Sequence, residues 1–317
     1  MGTLSLGPDR VLSTVGRMSP AESWEAAIAQ GGARTPMPVE LQNALALLHA
    51  EIVQGEGRRA RLFRPVKGPR RIRLPQRQPH ETGIRILLSR DGRTAYGRSV
   101  GHLGLEDLVH CHPMRDFSRR HGQPNKPVAF FSRTVGDLIS CESQHERRFA
   151  ILADWNEDVV HIAAQPFTID FPPGHEFDSH TPDFVLIGRS GIVVVVDVKW
   201  PSAALTPEAV RRHAAVEQAL RVAGIRHVVW TDAPSVVTSN LALFAAARVP
   251  QQMLAQLEPA VLAARRPGVR VRDLVETVTR GEQVPAPVVL TVVRRMLWEH
   301  HLDADLLTPF SADSVLL

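Results

Sequence analysis

The chain contains 317 residues, of which 44% are hydrophobic and 22% charged, and its formal net charge is +4. This is enough apolar material for one large or two modest globular domains. Its apolar runs are shorter than a transmembrane helix requires, and its first residues lack a secretion signal, so we expect a cytoplasmic protein with no membrane partner. Two cysteines, Cys111 and Cys141, are too few for a disulfide scaffold or a zinc cage.

Residues 1–80 are predicted to form an N-terminal segment of two short helices followed by an arginine- and proline-rich, partly disordered stretch. Residues 58–77 hold nine basic residues, three prolines and no acidic residue, a composition that cannot bury a core. Such a stretch is suited either to contact a phosphate backbone or to serve as a solvated linker. The candidate DNA-binding residues are Arg58, Arg59, Arg61, Arg64, Arg70, Arg71 and Arg73.

Residues 81–237 are predicted to form an α/β domain with a mixed sheet. A hairpin around Asp91 and Gly92 comes first. From Ser143 onward the pattern indicates a helix, an extended stretch, a hairpin of two strands, a long helix and a last strand, which is typical of a small α/β core. Residues 238–317 are predicted to form three helices and a terminal hairpin, an order compatible with a winged-helix-like module.

The strand with the sequence IVVVVDVK, residues 192–199, ends in an acid and a base. Its four consecutive valines predict a strand that is buried on both faces. Because side chains alternate along a strand, Asp197 and Lys199 project from the same face. A lone buried charge is costly, so the two residues form either a structural ion pair or part of a functional site.

Asp183 adds a second carboxylate, at the start of the strand PDFVLIG. Proline suits the first residue of a strand, and a short turn pairs this strand with the next one. Asp183 and Asp197 can then face each other, and two neighbouring carboxylates are usually stabilised by a divalent cation. Glu146, on the preceding helix, offers a third oxygen ligand if that helix docks close enough. Oxygen ligands favour Mg²⁺ or Mn²⁺ over zinc.

Lysine occurs at only three positions in this arginine-rich chain, and Lys199 is one of them. A compact ammonium group can contact a phosphate oxygen or orient a metal-bound water. The pKa of a lysine can also shift, which the pKa of arginine in practice does not. Three acids and a lysine in this order therefore predict a site that hydrolyses phosphodiester bonds.

Glu146, Pro182-Asp183 and Asp197-Val198-Lys199 resemble the motif of the PD-(D/E)XK nuclease superfamily. Roughly from residue 110 to residue 250, the chain is more closely similar to TnsA-like endonuclease subunits of heteromeric transposases. The other matching pieces are SQHERRF, DWNEDVVHI, Gln165-Pro166, TPDF, AAVEQALRVAG and HVVWTD. The resemblance implies a restriction-endonuclease-like core and a C-terminal module that contacts a partner protein.

The resemblance also implies roles for individual residues. Glu146, Asp183 and Asp197 would be metal ligands, Lys199 the catalytic lysine, and Gln165 a residue that positions the site. The implied activity is that of a magnesium-dependent DNA endonuclease that cuts the 5′ strand of double-stranded DNA at transposon ends. Its implied partners are a DDE-type transposase, which cuts and joins the other strand, and an ATPase regulator.

Two alternative functions remain open on the sequence alone. The first is a nuclease of phage defence or DNA repair, which keeps the chemistry and changes the biological system. The second is a non-catalytic DNA-binding or assembly subunit that retains the fold. The presence of all three acids together with the lysine favours an enzyme over the second alternative.

Overall fold

A computed structural model describes residues 23–30, 35–54, 72–115 and 127–317. The chain divides into two compact units, with the boundary between Asp232 and Ala233, where the sequence predicts a boundary between residues 237 and 238. The fold is mixed α/β. None of the helices in the described ranges is long and apolar enough to cross a membrane.

The larger unit contains both helices and short strands. In chain order they are α1 (Trp24–Ala29), α2 (Val39–Val53), β1 (Arg85–Leu88), β2 (Tyr96–Ser99), a 3-10 turn (Val100–His102), α3 (Leu105–Val109), β3 (Val128–Phe131), β4 (Leu138–Cys141), α4 (Gln144–Trp155), β5 (Val159–Ala164), β6 (Thr168–Asp170), β7 (Ser179–His180), β8 (Phe184–Gly188), β9 (Val193–Val198), α5 (Pro201–Ala204), α6 (Pro207–Arg221) and β10 (Arg226–Trp230).

A four-stranded mixed sheet, in the order β10-β9-β8-β5, carries the candidate site. Strands β8 and β9 pair antiparallel, with Phe184 opposite Val196, and β9 pairs parallel with β10. The predicted hairpin, the long helix and the last strand are confirmed by β8–β9, α6 and β10. The parallel pair is possible because α6 provides the crossover between β9 and β10.

Helices cover both faces of this sheet. On one face, the Phe149 ring of α4 packs against Trp24 of α1, Phe184 and Trp230, with ring centroids 5.3 to 5.5 Å apart. On the other face, Val195 belongs to a buried cluster with residues of α6 and α2. The two helices of the predicted N-terminal segment therefore belong to the same unit as the sheet.

The larger unit also contains two antiparallel sheets. One has the order β2-β1-β6-β7, and the other is the β3–β4 hairpin. The predicted hairpin around Asp91 and Gly92 is confirmed, since β1 pairs antiparallel with β2. The extended stretch predicted after α4 is split at Gln165 and Pro166, so β5 lies in the mixed sheet and β6 in the neighbouring sheet. Gln165 has a left-handed φ of 46°, which turns the chain out of the first sheet.

The C-terminal unit contains α7 (Ser235–Ala245), α8 (Gln251–Ala264), α9 (Val271–Glu282) and α10 (Ala286–Trp298). The last three confirm the predicted helices. The predicted terminal hairpin is reduced to isolated antiparallel bridges, Ala304 with Leu316 and Arg270 with Val315. The side chain of Asn240 on α7 binds the segment of residues 306–310. It donates to the carbonyls of Leu306 and Thr308 and accepts from the amide of Phe310.

Candidate functional site

Asp183 and Asp197 lie at the same end of the β8–β9 pair. Phe184 of β8 is opposite Val196 of β9. Because the strands are antiparallel, the next pair of opposed positions is Asp183, which precedes Phe184, and Asp197, which follows Val196. Both carboxylates are buried, and Asp197 is fully inaccessible to solvent. The backbone amide of Val198 donates to Asp183 Oδ2 at 2.8 Å. The predicted juxtaposition of the two acids is therefore present in the structure.

Lys199 places its ammonium group between these two carboxylates. Its Nζ donates to Asp183 Oδ2 at 3.2 Å and lies 3.9 Å from Asp197 Oδ1. Burial alone would lower the pKa of Lys199, but the negative charges of Asp183 and Asp197 outweigh it and raise the pKa. Lys199 therefore keeps its positive charge at neutral pH in this arrangement, and about a third of its side chain is open to solvent.

Glu146 lies in the first turn of α4 and is buried. Ser143 caps this helix: the Glu146 amide donates to Ser143 Oγ at 3.1 Å, and Ser143 Oγ donates to Glu146 Oε1 at 3.0 Å. The Glu142 amide donates to Glu146 Oε2 at 2.7 Å. These hydrogen bonds thus fix the orientation of the Glu146 carboxylate.

The acids of the cluster are electrostatically coupled. Burial, and next the charge of Asp183, raise the pKa of Glu146 to about 8. Burial and the charge of Asp197 likewise raise the pKa of Asp183, against the opposing effect of Lys199. Cys141 is also affected, because burial and then the Glu146 charge raise the pKa of its thiol. The structure therefore brings Glu146, Asp183, Asp197 and Lys199 into one charged cluster.

Three histidines that no sequence pattern singled out surround Asp197. Asp197 accepts from His180 Nε2 at 2.9 Å and from His227 Nε2 at 2.8 Å, and His213 Nδ1 lies 3.4 Å from its Oδ2. Burial would raise the pKa of Asp197, but these histidine contacts outweigh it and hold the pKa well below its usual range. Among the described residues, one group of three side chains has metal-ligand atoms that all lie within 4.8 Å of one another. This group consists of Asp197, His213 and His227, and the three predicted acids do not form such a group.

Gln165 links the strand β5 to the start of β8. Its backbone amide donates to the carbonyl of Asp183 at 2.8 Å, and its own carbonyl accepts from Met114. The side chain is 1% exposed, and neither its amide nitrogen nor its oxygen has a hydrogen-bond partner among the described residues. The structure thus places Gln165 next to Asp183 through the backbone, in a left-handed conformation that is unfavourable for a residue with a side chain.

An aromatic pair lies directly beyond Lys199. The indole of Trp200 is 54% exposed and stacks on the His145 ring, with centroids 3.9 Å apart and planes 9° apart. His145 Nε2 donates to the carbonyl of Lys199 at 3.3 Å, which connects α4 to the end of β9. Burial lowers the pKa of His145, so its ring is neutral at pH 7. The rim of the cluster therefore presents an exposed flat aromatic surface.

Of the predicted DNA contacts, only Arg73 is in the described part of the chain. Its backbone forms a parallel bridge with Thr94, and its side chain is exposed. The other predicted contacts lie outside the described residues, and they are Arg58, Arg59, Arg61, Arg64, Arg70 and Arg71.

Comparison of the chain with protein-family models finds no match, and neither does comparison with curated proteins. The chemistry of the cluster is therefore the main guide to its function. A fixed ammonium group beside coupled carboxylates can bind a phosphate oxygen and a hard divalent cation at the same place. Histidine nitrogens around Asp197 offer a second, chemically different set of ligands.

Proposed function

We propose that the chain is a metal-dependent DNA endonuclease that hydrolyses phosphodiester bonds. The observation that carries the proposal is the position of Lys199 Nζ, 3.2 Å from Asp183 and 3.9 Å from Asp197 at the ends of paired strands. In this proposal the mixed sheet with α4 and α6 is a restriction-endonuclease-like core. This assignment is supported by the order of Glu146, Asp183, Asp197 and Lys199, which resembles the PD-(D/E)XK motif.

Glu146, Asp183 and Asp197 would hold the metal ion, Mg²⁺ or Mn²⁺. Their carboxylate oxygens are the ligands that such hard cations prefer. The raised pKa values of Glu146 and Asp183 also fit a cation, because each reflects a buried negative charge that lacks sufficient compensation. When bound, such an ion lowers the pKa of water and polarises a phosphoryl oxygen.

Lys199 would bind the substrate as a cation rather than act as a base. Because its pKa is raised, it keeps its proton at neutral pH and can donate hydrogen bonds to a non-bridging phosphate oxygen. Asp183 orients the ammonium group through the 3.2 Å hydrogen bond, and is itself fixed by the Val198 amide. The chain thus supplies preorganised positive charge where negative charge increases during phosphoryl transfer.

We further propose that the chain cuts the 5′ strand at transposon ends as one subunit of a heteromeric transposase. This step rests on the similarity of residues 110 to 250 to TnsA-like subunits and on no other observation. In it, the C-terminal unit is a winged-helix-like module that docks to a DDE-type transposase or an ATPase regulator. The helices α7 to α10 and the bridges at the C-terminus support such a module.

The test is cleavage of double-stranded DNA that carries transposon ends, with Mg²⁺ or Mn²⁺, with and without a DDE-type transposase. Asp183→Asn and Lys199→Ala should abolish cutting. Asp178→Asn, at an exposed carboxylate close by in sequence, is the matched control and should cut normally.

Each outcome of this test has a distinct meaning. Cutting only in the joint reaction supports the transposase subunit, whereas cutting of arbitrary DNA by the chain alone supports a defence or repair nuclease. DNA or partner binding without metal-dependent cutting in any mixture would contradict the enzyme and leave an assembly subunit.

A further inference from the structure

Three histidines from three different elements converge on one buried carboxylate. His180 comes from β7, His213 from α6 and His227 from β10, and all three contact Asp197 on β9. The ring centroids of His213 and His227 are 5.5 Å apart, and those of His180 and His213 are 6.2 Å apart. We call these four residues the histidine cluster. Its side chains are at least nine-tenths buried.

The polar atoms of His213 are not satisfied within this arrangement. Its Nδ1 lies 3.4 Å from Asp197, yet neither of its ring nitrogens has a hydrogen-bond partner among the described residues, although the side chain is only 10% exposed. A buried polar atom without a partner costs about 1–3 kcal/mol. A cation placed between Asp197, His213 and His227 would give a ring nitrogen of His213 a partner.

We propose that Asp197, His213 and His227 form a binding site for a borderline divalent transition-metal ion of the zinc class, and that His180 supports it through its hydrogen bond to Asp197. Imidazole nitrogens with one carboxylate are the donor set that zinc and its neighbours prefer, whereas Mg²⁺ prefers oxygen. Ligands about 2.0–2.1 Å from a tetrahedral ion are about 3.3–3.4 Å from one another. The Asp197–His213 distance of 3.4 Å already has this value, and the Asp197–His227 distance of 2.8 Å needs only a small opening.

The site is distinct from the proposed nuclease cluster, although Asp197 belongs to both. The Oδ1 of Asp197 lies on the side of Lys199, while its Oδ2 is the atom nearest to His213 and His227. Asp183 and Glu146 belong to the nuclease cluster and have no place among the histidine ligands. The two sites therefore share Asp197, and they are told apart by the residues that belong to only one of them.

The experiment titrates the full-length, metal-stripped protein with Co²⁺ and Zn²⁺ in the absence of Mg²⁺. Co²⁺ in a tetrahedral nitrogen and oxygen site gives intense visible absorption, so the wild-type protein should develop these bands at one equivalent. Loss of a residue that merely supports a ligand weakens metal binding by about 10–100-fold. His213→Gln and His227→Gln, which remove ligands, should therefore weaken it by at least about 100-fold.

Two control variants separate this site from the rest of the molecule. His49→Gln changes an exposed histidine on α2 and should bind Co²⁺ like the wild type. Asp183→Asn should abolish DNA cutting if the proposed function is right, yet keep the Co²⁺ spectrum. Loss of cutting and loss of Co²⁺ binding are thus independent readouts, so either proposal can fail while the other stands.

A measurement on the wild-type protein alone covers the case in which a histidine variant does not fold. X-ray absorption at the zinc edge of the one-equivalent complex should show two imidazole ligands and oxygen. The absence of an imidazole shell would overturn the proposal. So would the absence of Co²⁺ bands in the wild type, or equal Co²⁺ affinity in folded His213→Gln and His227→Gln.

Discussion

The carboxylate of Asp183 accepts a hydrogen bond from the backbone amide of Val198, with a nitrogen-to-oxygen distance of 2.8 Å. This bond joins the start of β8 to the end of β9, beyond the last ladder pair of the two strands. The same oxygen accepts from Lys199. Asp183 therefore has a structural contact as well as a candidate chemical role, and its variants must be chosen so that the two can be separated.

Asp183→Asn and Asp183→Ala should differ in stability and agree in activity. Asparagine retains an oxygen that accepts from Val198, so we expect the free energy of unfolding to stay within about 1 kcal/mol of the wild type. Alanine leaves a buried amide without a partner, which costs about 1–3 kcal/mol. Both variants should lose cutting. Chemical denaturation measures the first comparison, and equal destabilisation by the two variants would contradict it.

Comparison of Lys199→Met with Lys199→Arg should separate the effect of the positive charge at residue 199 from the effect of the shape of its side chain. Methionine removes the cation between two buried carboxylates and leaves their charges less compensated, so it should destabilise the protein although the lysine is about one-third exposed. Cutting should fall by about 10²–10³-fold, as for other preorganised charges that stabilise a transition state. Arginine should restore the stability but only part of the activity, since its planar guanidinium cannot occupy the position of the compact ammonium.

The readouts for Lys199 are the melting temperature and the single-turnover rate of cutting. Arg189→Met, at an exposed arginine in the turn between β8 and β9, is the matched loss of a positive charge and should leave both unchanged. Full activity in Lys199→Met would show that the ammonium group does not contact the reacting phosphate.

The elements that position the nuclease cluster could be predicted because their signals are local. The valine run and the short turn at residues 189–190 predict β8, β9 and their pairing. Register then brings Asp183 opposite Asp197 without any knowledge of the rest of the fold. These predictions depend on residues that are close together in the chain.

The histidine cluster could not be predicted in this way. His180, His213 and His227 are far apart in the chain and meet only because β7, α6 and β10 all pack around β9. The one usable signal is His227, which shares a face of β10 with Val229, the residue opposite Asp197. The break at Gln165 was missed for a related reason, because hydropathy does not report a change of sheet.

Gln165→Gly should stabilise the protein and impair its activity. The left-handed φ of 46° suits glycine, and strain of this kind costs about 1–3 kcal/mol, to which the unpartnered buried amide adds. We expect a higher melting temperature together with slower cutting if the side chain positions the site. Gln165→Ala removes the same amide but keeps the strain, so it should gain less stability.

Gln283 provides the control for this comparison. It has a φ of 56° and is exposed at the end of α9 in the C-terminal unit. Gln283→Gly should relieve backbone strain in the same way and leave the rate of cutting unchanged. A Gln165→Gly protein that cuts at the wild-type rate would show that Gln165 has only a conformational role.

Asp154 should make the stability of the larger unit depend on pH. It is buried at the end of α4, where it accepts from the Ser132 hydroxyl and from the amides of Arg133 and Thr134. Burial raises its pKa to about 6, against these hydrogen bonds. Between about pH 4 and pH 6, Asp154 is therefore protonated in the folded state and ionised in the unfolded chain. The free energy of unfolding is greatest below this range and falls as the pH rises through it.

The size of this effect follows from the shift of about two pKa units, which corresponds to about 3 kcal/mol. Asp154→Asn cannot titrate, so the fall in its melting temperature between pH 4 and pH 7 should be smaller than in the wild type. Glu157→Gln, at an exposed position nearby, is the control and should keep the wild-type slope. Parallel melting curves for Asp154→Asn and the wild type across this range would show that Asp154 stays ionised in the folded state.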